Sequence, residues 1–392
     1  MKEWKKVRLR DCIREVNERT IENNQYEVLT SSKSGIYSQE EYFDKQVASK
    51  DNTGYKILRK GQFTYRSMSD NGTFTINRLE NKEIGIVSPA YPVFEVTNIN
   101  AEYLKYYFQS DEFKKSIYNL SQGSTRTALK YKDLSDIEIF LPSKEEQILI
   151  VRIFENIDKI INTIERKKNQ NLNYKNSILS KISNEEFEEV ILENIFEKIT
   201  DYVAAGSFAD LRNNVKYNSN KDYAQLIRTI DIKNKFKNEE SIYVSKPAFD
   251  FLWRVNLIED NIVLPNIGAN IGEVYYISKK DLPYENNVLG PNAILLGNCK
   301  NLKYMYYYFQ SSDFQKKLQL IVGASGQPKF NKTDLKRIRI KIPNMEMQNN
   351  VVKVLEKNDK IIDALIQKTN EYKLLKKALM QQLLTGKIRV KI

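Results

Sequence analysis

The residue types that most often carry out nucleophilic or metal chemistry are scarce in this chain of 392 residues. It contains no histidine, which excludes Ser-His-Asp and Cys-His catalysis and every zinc site that needs an imidazole ligand. Its two cysteines, Cys12 and Cys299, are too few for a thiolate cluster or a disulfide framework, and we interpret both as small apolar residues. The chain also lacks a Gly-rich phosphate loop and a Gly-x-Gly-x-x-Gly fingerprint. The sequence therefore predicts no catalytic residue and no metal site.

Polar, glycine-bearing loops with basic and amide side chains are the remaining candidates for a functional site. Arg, Asn and Gln can form paired hydrogen bonds with base edges in the major groove, whereas Lys, Ser and backbone amides suit phosphates. In the first half of the chain the candidate DNA contacts are Arg66, Asn71, Arg78, Ser124, Arg126 and Lys130. In the second half they are Arg228, Asn266, Asn270, Ser325, Gln327 and Lys329. Each loop taken alone is equally typical of a solvated surface loop.

The overall charge favours a polyanionic partner. The chain has 62 Lys and Arg against 50 Asp and Glu, a formal net charge of +12. Nucleic acid is the preferred partner, because no basic amphipathic anchor for a membrane is visible. No apolar run approaches the roughly 18 to 20 residues that a membrane span needs, so we expect a soluble, cytoplasmic protein without a membrane partner.

An internal repeat organises the elements that must position these loops. The segment Tyr103-Leu-Lys-Tyr-Tyr-Phe-Gln-Ser110 recurs 201 residues later as Tyr304-Met-Tyr-Tyr-Tyr-Phe-Gln-Ser311. The same offset pairs Pro142 with Pro343, Gln147 with Gln348 and Asp158-Lys-Ile-Ile161 with Asp359-Lys-Ile-Ile362. More weakly, Trp4, Val7 and Leu9 match Phe187, Val190 and Leu192. A long repeat of this kind indicates duplication of a structural unit.

Between these matching segments the two halves diverge. Residues 20–100 and 200–300 contain different patterns of glycine, asparagine and proline among short apolar runs. The aromatic run near residue 106 and its repeat are most simply the buried face of a helix that packs on a sheet. The chain thus carries two copies of a common frame with two different inserts, which suits recognition of two different targets with one geometry.

Each copy ends in a long helical pattern whose apolar residues are spaced by three and four, as in a coiled-coil seam. The seam comprises Ile150, Phe154, Ile157, Ile161 and Ile164 in the first copy, and Val351, Leu355, Ile362 and Leu365 in the second. No proline interrupts either run, so each helix spans about 40 residues, or roughly 60 Å at about 1.5 Å per residue. Each seam is best buried by the other. We therefore predict an antiparallel intramolecular pair with a globular domain at each end.

Three polar residues interrupt the predicted seam, namely Asn171, Lys175 and Asn358. Buried polar residues at such positions cost stability but can set the register of a helix pair. One interpretation is that they set the register or receive a partner helix. The other is that the seam is locally solvated.

The predicted fold class is α+β. Two globular α/β domains are joined by two long α-helices that form an antiparallel coiled coil, with a pseudo-two-fold internal repeat. The predicted boundaries are 1–143 for the first domain, 144–184 for the first helix, 185–344 for the second domain, and 345–392 for the second helix and the C-terminal tail. The tail from residue 384 should return to the first domain.

With these features, the chain resembles the specificity subunit of type I restriction-modification enzymes over essentially its whole length. The residues that carry the resemblance are Trp4-Lys-Lys-Val-Arg-Leu9, Leu141-Pro-Ser-Lys-Glu-Glu-Gln147 and Leu383-Leu-Thr-Gly-Lys-Ile388. The two inserts are similar to two different types of target recognition domain. One departure is Met347, which stands where the family's pattern, present as Glu-Glu-Gln147 in the first copy, has its second glutamate.

The resemblance implies a non-catalytic subunit that recognises double-stranded DNA. Each target recognition domain would read one half of an asymmetric bipartite site, and the helices would set the spacer. Two methyltransferase subunits would bind the chain, and restriction subunits would join them to make the nuclease. S-adenosylmethionine, magnesium and ATP would belong to those partners, with no cofactor on this chain. The alternative is a coiled-coil scaffold that joins two protein-binding domains without contacting DNA. The absent motifs disfavour a fused methyltransferase or nuclease.

Overall fold

The structure, a computed structural model, divides into two compact units. It describes residues 4–42, 50–69, 72–120, 127–184, 187–238, 240–323 and 327–390. The first unit comprises Met1–Glu165 with Ile366–Ile392, and the second comprises Arg166–Leu365. Both mix helices with sheets, which confirms the predicted α+β class. Among the described residues, no helix combines the length and the apolar character required to cross a membrane.

The first unit begins with short strands and ends in helices. Its strands are β1 (Lys5–Arg8), β2 (Ile13–Glu15), β3 (Leu29–Ser32), β4 (Gly35–Ser38), β5 (Lys56–Arg59), β6 (Phe63–Thr64), β7 (Met68–Ser69), β8 (Asn77–Arg78), β9 (Ile84–Val87), β10 (Val93–Val96), β11 (Thr127–Ala128) and β12 (Glu138–Leu141). Its helices are α1 (Gln39–Tyr42), α2 (Ala101–Gln109), α3 (Asp111–Leu120) and α4 (Tyr131–Ser135), followed by the long α5 (Lys144–Asn184), which continues into the second unit.

The second unit repeats this order with a different middle section. Its strands are β13 (Glu188–Ile191), β14 (Lys198–Asp201), β15 (Ala224–Ile227), β16 (Ile242–Val244), β17 (Asn261–Pro265), β18 (Tyr275–Ile277), β19 (Asn287–Leu289), β20 (Ala293–Gly297) and β21 (Arg339–Ile342). Its helices are α6 (Phe208–Asn214), α7 (Thr229–Lys233), α8 (Lys246–Phe251), α9 (Leu302–Phe309), α10 (Ser312–Ile321) and α11 (Lys332–Lys336), followed by the long α12 (Met345–Leu383).

One frame occurs in both units. In the first unit β1 pairs with β12, and a four-stranded sheet has the order β2-β10-β6-β8. In the second unit β13 pairs with β21, and the corresponding sheet has the order β14-β20-β17-β18. The two terminal pairs keep the same register, because Lys5 lies opposite Leu141 and Glu188 lies opposite Ile342. The predicted duplication is therefore a duplication of sheet topology.

The inserts differ as the sequence predicts. The first unit adds the antiparallel pairs β3-β4 and β5-β9. The second unit adds a three-stranded sheet, β16-β15-β19, in which β15 and β19 run parallel, together with helices α6 to α8. The two frames therefore carry different local structures on the same support.

The aromatic run of each copy forms the buried face of a helix, as predicted. The side chains of Asn100 and Asn301 cap α2 and α9, respectively, because each accepts a hydrogen bond from the backbone amide of the third residue of its helix. Tyr103, Tyr107 and Phe108 of α2 are at most 4% exposed and belong to the core of the first unit. These rings hold the helix on the sheet, and they leave no face free to stack on bases.

The two long helices pair in the antiparallel sense within each unit. In the first unit Glu165 pairs with Lys373 at 3.0 Å, while Asp158, earlier in α5, pairs with Lys376, later in α12. In the second unit Lys175 pairs with Asp359, and Leu179 clusters with Leu355. The residues of the predicted seam are buried or half-buried: Ile150, Phe154, Ile157, Ile161, Ile164, Val351, Leu355, Ile362 and Leu365.

Two of the three polar interruptions of the seam, Asn358 and Lys175, are buried or nearly so, whereas the Asn171 side chain is half-buried and donates to the Lys167 backbone oxygen of its own helix. Asn358 is 4% exposed, and its side-chain amide donates to the backbone oxygen of Asn171 over 3.0 Å. The Lys175 side chain is 12% exposed and is ion-paired. Both groups therefore have a partner on the facing helix, which the register-setting interpretation requires of buried polar residues.

The C-terminal tail returns to the first unit, as predicted. Leu383 and Leu384 belong to its core. Beyond them, Arg389 donates from Nε and Nη2 to the carboxylate of Glu146 at 2.6 and 2.7 Å, and the Trp4 indole donates to the same carboxylate over 3.0 Å. Gly386 has a positive φ of 70°, and a Cβ there would lie 3.3 Å from the Trp4 ring, so the turn favours glycine.

Candidate nucleic-acid interface

Two candidate loops of the first unit meet through backbone pairing. Strand β7 pairs with β11, and the Leu129 amide donates to the Ser67 oxygen over 2.9 Å. This pairing brings together the chain segments that contain Arg66 and Lys130, both of which are exposed. Asn71, Ser124 and Arg126, which were predicted for the same surface, lie outside the described residues. Arg66 and Lys130, about 60 residues apart in the sequence, thus lie on neighbouring segments because β7 pairs with β11.

The second unit pairs the corresponding segments. The Phe330 amide donates to the Asn266 oxygen over 3.1 Å, and the Gly268 amide donates to the Pro328 oxygen over 3.0 Å. The segment that follows β17 therefore lies beside the segment that precedes α11. These are the segments that contain Asn266, Asn270, Gln327 and Lys329, whereas the predicted Ser325 falls outside the described part of the chain.

Glycines shape the second loop pair. Gly268 and Gly272 have φ values of 88° and 97°, in the left-handed region that side chains other than glycine rarely adopt. A Cβ on Gly272 would also lie 2.9 Å from the Gln315 side-chain oxygen. The Gln315 amide donates to the Gly272 oxygen over 2.9 Å, which anchors the turn to α10. The loop therefore has a defined backbone on which exposed side chains can be presented.

Asn266 faces the protein rather than the outside of this loop pair. Its amide nitrogen donates to the Phe330 oxygen over 3.1 Å, and its Oδ1 is buried without a hydrogen-bond partner among the described residues. Asn270 lies at the edge of the loop, where its Oδ1 is 3.5 Å from Lys233 Nζ. Asn266 thus holds the two segments together, a role that neither its type nor its position in the sequence indicates.

Gln327 and Lys329 are the exposed candidates of the second unit. Among the described residues, Arg66, Lys130 and Lys329 form no ion pair, so their charges are available to an anionic ligand. Gln327 Nε2 lies 3.6 Å from the position that a Cβ on Gly268 would take, which places this amide beside the glycine turn. Exposed cations beside an exposed amide combine a phosphate contact with a base-reading group.

Two predicted arginines are already engaged by carboxylates. Arg78 Nη2 lies 2.8 Å from Glu102, and the Arg78 side chain is 18% exposed. Arg228 donates from Nε and Nη2 to both oxygens of Asp231, at 2.9 and 2.8 Å, and also to the Glu240 backbone oxygen. A direct contact between either guanidinium and DNA would require the loss of an ion pair.

The Arg228 contact also explains the ionisation of Asp231, the third residue of α7. Asp231 is 4% exposed, and burial on its own would raise the pKa of its carboxyl. Hydrogen bonds from the Arg228 side chain and backbone outweigh burial and lower the pKa below its ordinary value of 3.8. Asp231 is therefore charged in the first turn of α7, where its carboxylate also accepts a hydrogen bond from the Arg228 backbone amide over 2.8 Å.

The cysteines fit the sequence-based interpretation. Cys12 is 2% exposed in the core of the first unit, and burial together with Asp11 raises the pKa of its thiol. Burial likewise raises the pKa of Cys299 to about 11. At neutral pH both remain thiols, the form that behaves as a small apolar side chain.

Sequence reasoning missed two clusters that tie the long helices to the globular parts. They are Tyr106, Asp158 and Lys376 in the first unit, and Tyr307, Asp359 and Lys175 in the second. The available signal was the 201-residue offset, which relates Tyr106 to Tyr307, Asp158 to Asp359 and Lys175 to Lys376. Only the folded chain shows that each tyrosine, on α2 or α9, meets an aspartate and a lysine from the two long helices.

Comparison with known proteins gives consistent matches over both units. The sequence profile described as "Type I restriction modification DNA specificity domain" matches residues 1–174 and 184–373. Two relatives from Methanocaldococcus jannaschii are each 24% identical to this chain. The type I restriction enzyme MjaX specificity subunit matches over 309 residues, 74% of this chain and 67% of the relative. The MjaVIII specificity subunit matches over 310 residues, 73% of this chain and 70% of the relative.

Solved structures share the fold. A chain from a structure on complex assembly and conformational transition of the type I R-M system has a TM-score of 0.61 at 14% identity and covers 99% of both chains. The crystal structure of the type I restriction-modification system S subunit from M. genitalium has a TM-score of 0.53 at 15% identity, covering 97% of this chain and 96% of that one.

Proposed function

Because this chain belongs to the type I restriction-modification DNA specificity family, whose role is DNA sequence recognition, we propose that it is the specificity subunit of a type I restriction-modification complex. Each unit reads one half of an asymmetric, bipartite target in double-stranded DNA. The long helices set the length of the unspecified spacer between the halves. The chain performs no catalysis and binds no cofactor itself.

The observation that carries the proposal is the occurrence of one loop arrangement on two copies of one frame. The segments around Arg66 and Lys130 are paired in the first unit, and those around Gln327 and Lys329 are presented by the corresponding pairing in the second. The inserts beside them differ in topology. A shared geometry with different reading surfaces favours two half-sites of different sequence over a palindrome, which would need identical readers.

The excess of positive charge supports DNA as the ligand. A net charge of +12 favours association with the phosphate backbone. The exposed cation Lys329 lies on the same loop as the exposed amide of Gln327, and the exposed cations Arg66 and Lys130 lie on the paired segments of the first unit. Phosphate contacts from Lys130 and Lys329 position the duplex, while Arg66 and Gln327 contact base edges.

The methyltransferase subunits are the partners that we assign to the long helices. Several apolar side chains on these helices are 38% to 69% exposed: Ile148, Ile160, Leu172, Val354, Ile361, Ile366, Leu374 and Leu375. Exposed apolar surface of this kind is typical of protein interfaces. Ile160 and Ile361 are related by the 201-residue offset, which supports two equivalent docking sites and hence two methyltransferase subunits. Restriction subunits complete the nuclease, and S-adenosylmethionine, magnesium and ATP act on the partner subunits.

The proposal is tested by co-expressing the chain with its cognate methyltransferase subunit and mapping the methylated adenines across a host genome. We expect a split motif with a fixed gap. Methylation of one continuous motif would contradict the two-reader function. Failure of the purified complex to bind DNA in a salt-dependent manner would favour the scaffold alternative instead.

A further inference from the structure

A cluster in the first unit joins three elements. Tyr106 of α2 donates its hydroxyl proton to Asp158 Oδ2 of α5 over 2.8 Å. Lys376 of α12 donates to both Asp158 oxygens at 2.7 and 2.8 Å. Its ammonium group also lies 4.9 Å from the centre of the Tyr106 ring, within cation–π distance. We call these three residues the Asp158 triad.

The second unit contains the same cluster. Tyr307 of α9 donates to Asp359 Oδ2 of α12 over 2.9 Å, and Lys175 of α5 donates to Asp359 Oδ1 over 2.8 Å. The Lys175 ammonium group lies 5.0 Å from the centre of the Tyr307 ring. We call these three residues the Asp359 triad.

The long helix that supplies the aspartate in one triad supplies the lysine in the other. In the Asp158 triad α5 supplies the aspartate and α12 the lysine, whereas in the Asp359 triad α12 supplies the aspartate and α5 the lysine. Every member has its counterpart 201 residues away. The aspartate and the tyrosine of each triad come from one copy of the repeat, and the lysine comes from the other copy. Each triad thus requires both helices and one globular part.

Burial makes these contacts selective. Tyr106 and Tyr307 are 5% and 4% exposed. The side chains of Lys376 and Lys175 are 18% and 12% exposed and those of Asp158 and Asp359 are 35% and 29% exposed, so both ion pairs are half-buried. Water and salt screen a half-buried ion pair less than a surface pair, and removal of one partner leaves a partly desolvated charge without its counter-ion. The free energy lost when such a pair is misaligned is therefore larger than the free energy that the pair contributes in the correct alignment.

A change of helix register by one heptad would break the Asp158 triad in either direction. A shift of one heptad would place Thr369 or Leu383, rather than Lys376, opposite Asp158. Neither residue can supply a cation, so the Asp158 carboxylate and the Tyr106 hydroxyl would lose their shared partner.

The Asp359 triad would break in one direction, where Ile182 replaces Lys175, whereas the other shift places Lys168 opposite Asp359. The apolar seam on its own tolerates such a shift, because it repeats every seven residues.

We propose that the residues of the two triads are positioning residues that fix the stagger of the long helices and the orientation of each recognition domain on these helices. The triads thereby determine which spacer length is accepted. The lysine-to-aspartate contact sets the stagger. The tyrosine transmits it to the recognition domain, since α2 and α9 pack on the sheets that support the reading loops. This inference rests on the proposed function.

The test removes both charges of a triad without leaving a buried ion. The variants are Lys175→Met/Asp359→Asn and, in the first unit, Lys376→Met/Asp158→Asn. Asparagine still accepts the tyrosine hydrogen bond, and methionine keeps the packing on the ring. The matched control is Lys373→Met/Glu165→Gln, which removes an exposed pair between the same helices, with side chains 56% and 38% exposed.

The measurement is the methylation rate of the complex with its methyltransferase subunits, on targets whose half-sites are constant and whose gap varies one base pair at a time. In each triad variant the rate ratio between the preferred gap and its neighbours should fall about tenfold, or the preferred gap should shift. The reason is that a charge-assisted hydrogen bond contributes on the order of 1.4 kcal/mol, which is equivalent to a factor of about ten. The control should keep the parental profile.

A folded triad variant with the parental gap profile would overturn the inference. If a double variant does not fold, the variants Tyr106→Phe and Tyr307→Phe remove only the hydroxyl groups. Each should reduce the discrimination between gaps about threefold, the lower end for the loss of one hydrogen bond. Parental gap profiles in both tyrosine variants would also overturn the inference. A wild-type complex that methylates without any gap dependence would contradict the proposed function instead, so the two failures are distinguishable.

Discussion

At the scale of single residues, Glu146 shows how one copy of the repeat acquires a contact that the other lacks. Its carboxylate accepts hydrogen bonds from Trp4 and Arg389 and is 1% exposed. The corresponding positions in the second copy are Met347 and Phe187. Phenylalanine has no N–H to donate, so a carboxylate at position 347 would lack the indole contact. The departure of Met347 from the family pattern therefore has a structural reason.

Glu146 should also confer acid sensitivity on the first unit. Burial opposes its ionisation, but hydrogen bonds from Arg389 and Trp4 lower its pKa below the ordinary value of 4.5. A lowered pKa in the folded state means that this stabilisation is complete above pH 4.5 and is lost as the pH falls through the lowered value. In Glu146→Met we expect about 1.5 to 3 kcal/mol less stability at pH 7, from the lost charged hydrogen bonds, and a shallower decline below pH 4.5. Urea unfolding between pH 3 and pH 7 measures both; an unchanged pH profile would refute the assignment.

Lys329 belongs to the same scale, as an exposed cation without an ion-pair partner among the described residues. If it contacts a phosphate, Lys329→Ala should weaken binding to all sequences alike and reduce the slope of log K against log salt by about one unit. The control is Lys373→Ala, which removes an exposed lysine on α12 that pairs with Glu165. Titrations of cognate and non-cognate duplexes at several salt concentrations would distinguish this from base reading, which would affect the cognate sequence more.

At the scale of elements, the long helices combine a repetitive apolar seam with contacts that do not repeat. The seam supplies association, since Ile150, Phe154 and Leu355 are fully buried. The bond from Asn358 to the Asn171 backbone occurs in only one unit, because the residue at the position corresponding to Asn358 is Ile157. Apolar burial thus drives pairing, and polar contacts select the register.

If these helices measure the spacer, their length should control it. Seven residues added to each helix at matched positions lengthen the pair by roughly 10 Å. At about 3.4 Å per base pair this corresponds to about three more spacer base pairs if the helices follow the DNA axis, and fewer if they are tilted. Three base pairs also rotate the second half-site by about a hundred degrees, so we expect weak binding of the lengthened target. Methylation over a series of gaps tests this; a folded double-insertion variant with the parental optimum would show that the helices do not measure the gap.

At the scale of the whole molecule, duplication provides two units with one frame and two inserts. The frame sheets β2-β10-β6-β8 and β14-β20-β17-β18 correspond, whereas only the second unit has the parallel pair β15 and β19. Each unit has cores of its own. Recognition by one insert should therefore be independent of the other.

Exchange of residues 15–135 for another recognition domain of this family should accordingly change only one half of the target. The replaced stretch contains the insert and the reading loops of the first unit and leaves β1, β12 and both long helices in place. Methylome mapping of the chimaera with the same methyltransferase subunit measures the outcome. A change in both halves, or in neither, would mean that the two units do not read separately.

The sequence by itself determined the features that depend on periodicity, repetition or residue type. The seam, the duplicated frame, the fold class and the lack of histidine could all be read from it, because each is a property of residues at regular or matching positions. The resemblance carried by the motifs near Pro142 and Leu383 indicated the family. The pairing of the Arg66 segment with the Lys130 segment, and of the Asn266 segment with the Lys329 segment, was not part of the sequence prediction and follows from the fold.

Only the tertiary structure decided which side chains are engaged and which remain available. The sequence suggests the same role for Arg78, Arg228 and Lys329, yet the first two are held by carboxylates and Lys329 is not. The triads likewise join residues 218 positions apart in one unit and 184 in the other. Contacts at such separations depend on how helices and sheets pack, and local propensity carries no information about them. Periodic patterns thus reveal the frame, whereas the partners of individual charges emerge only when distant segments are brought together.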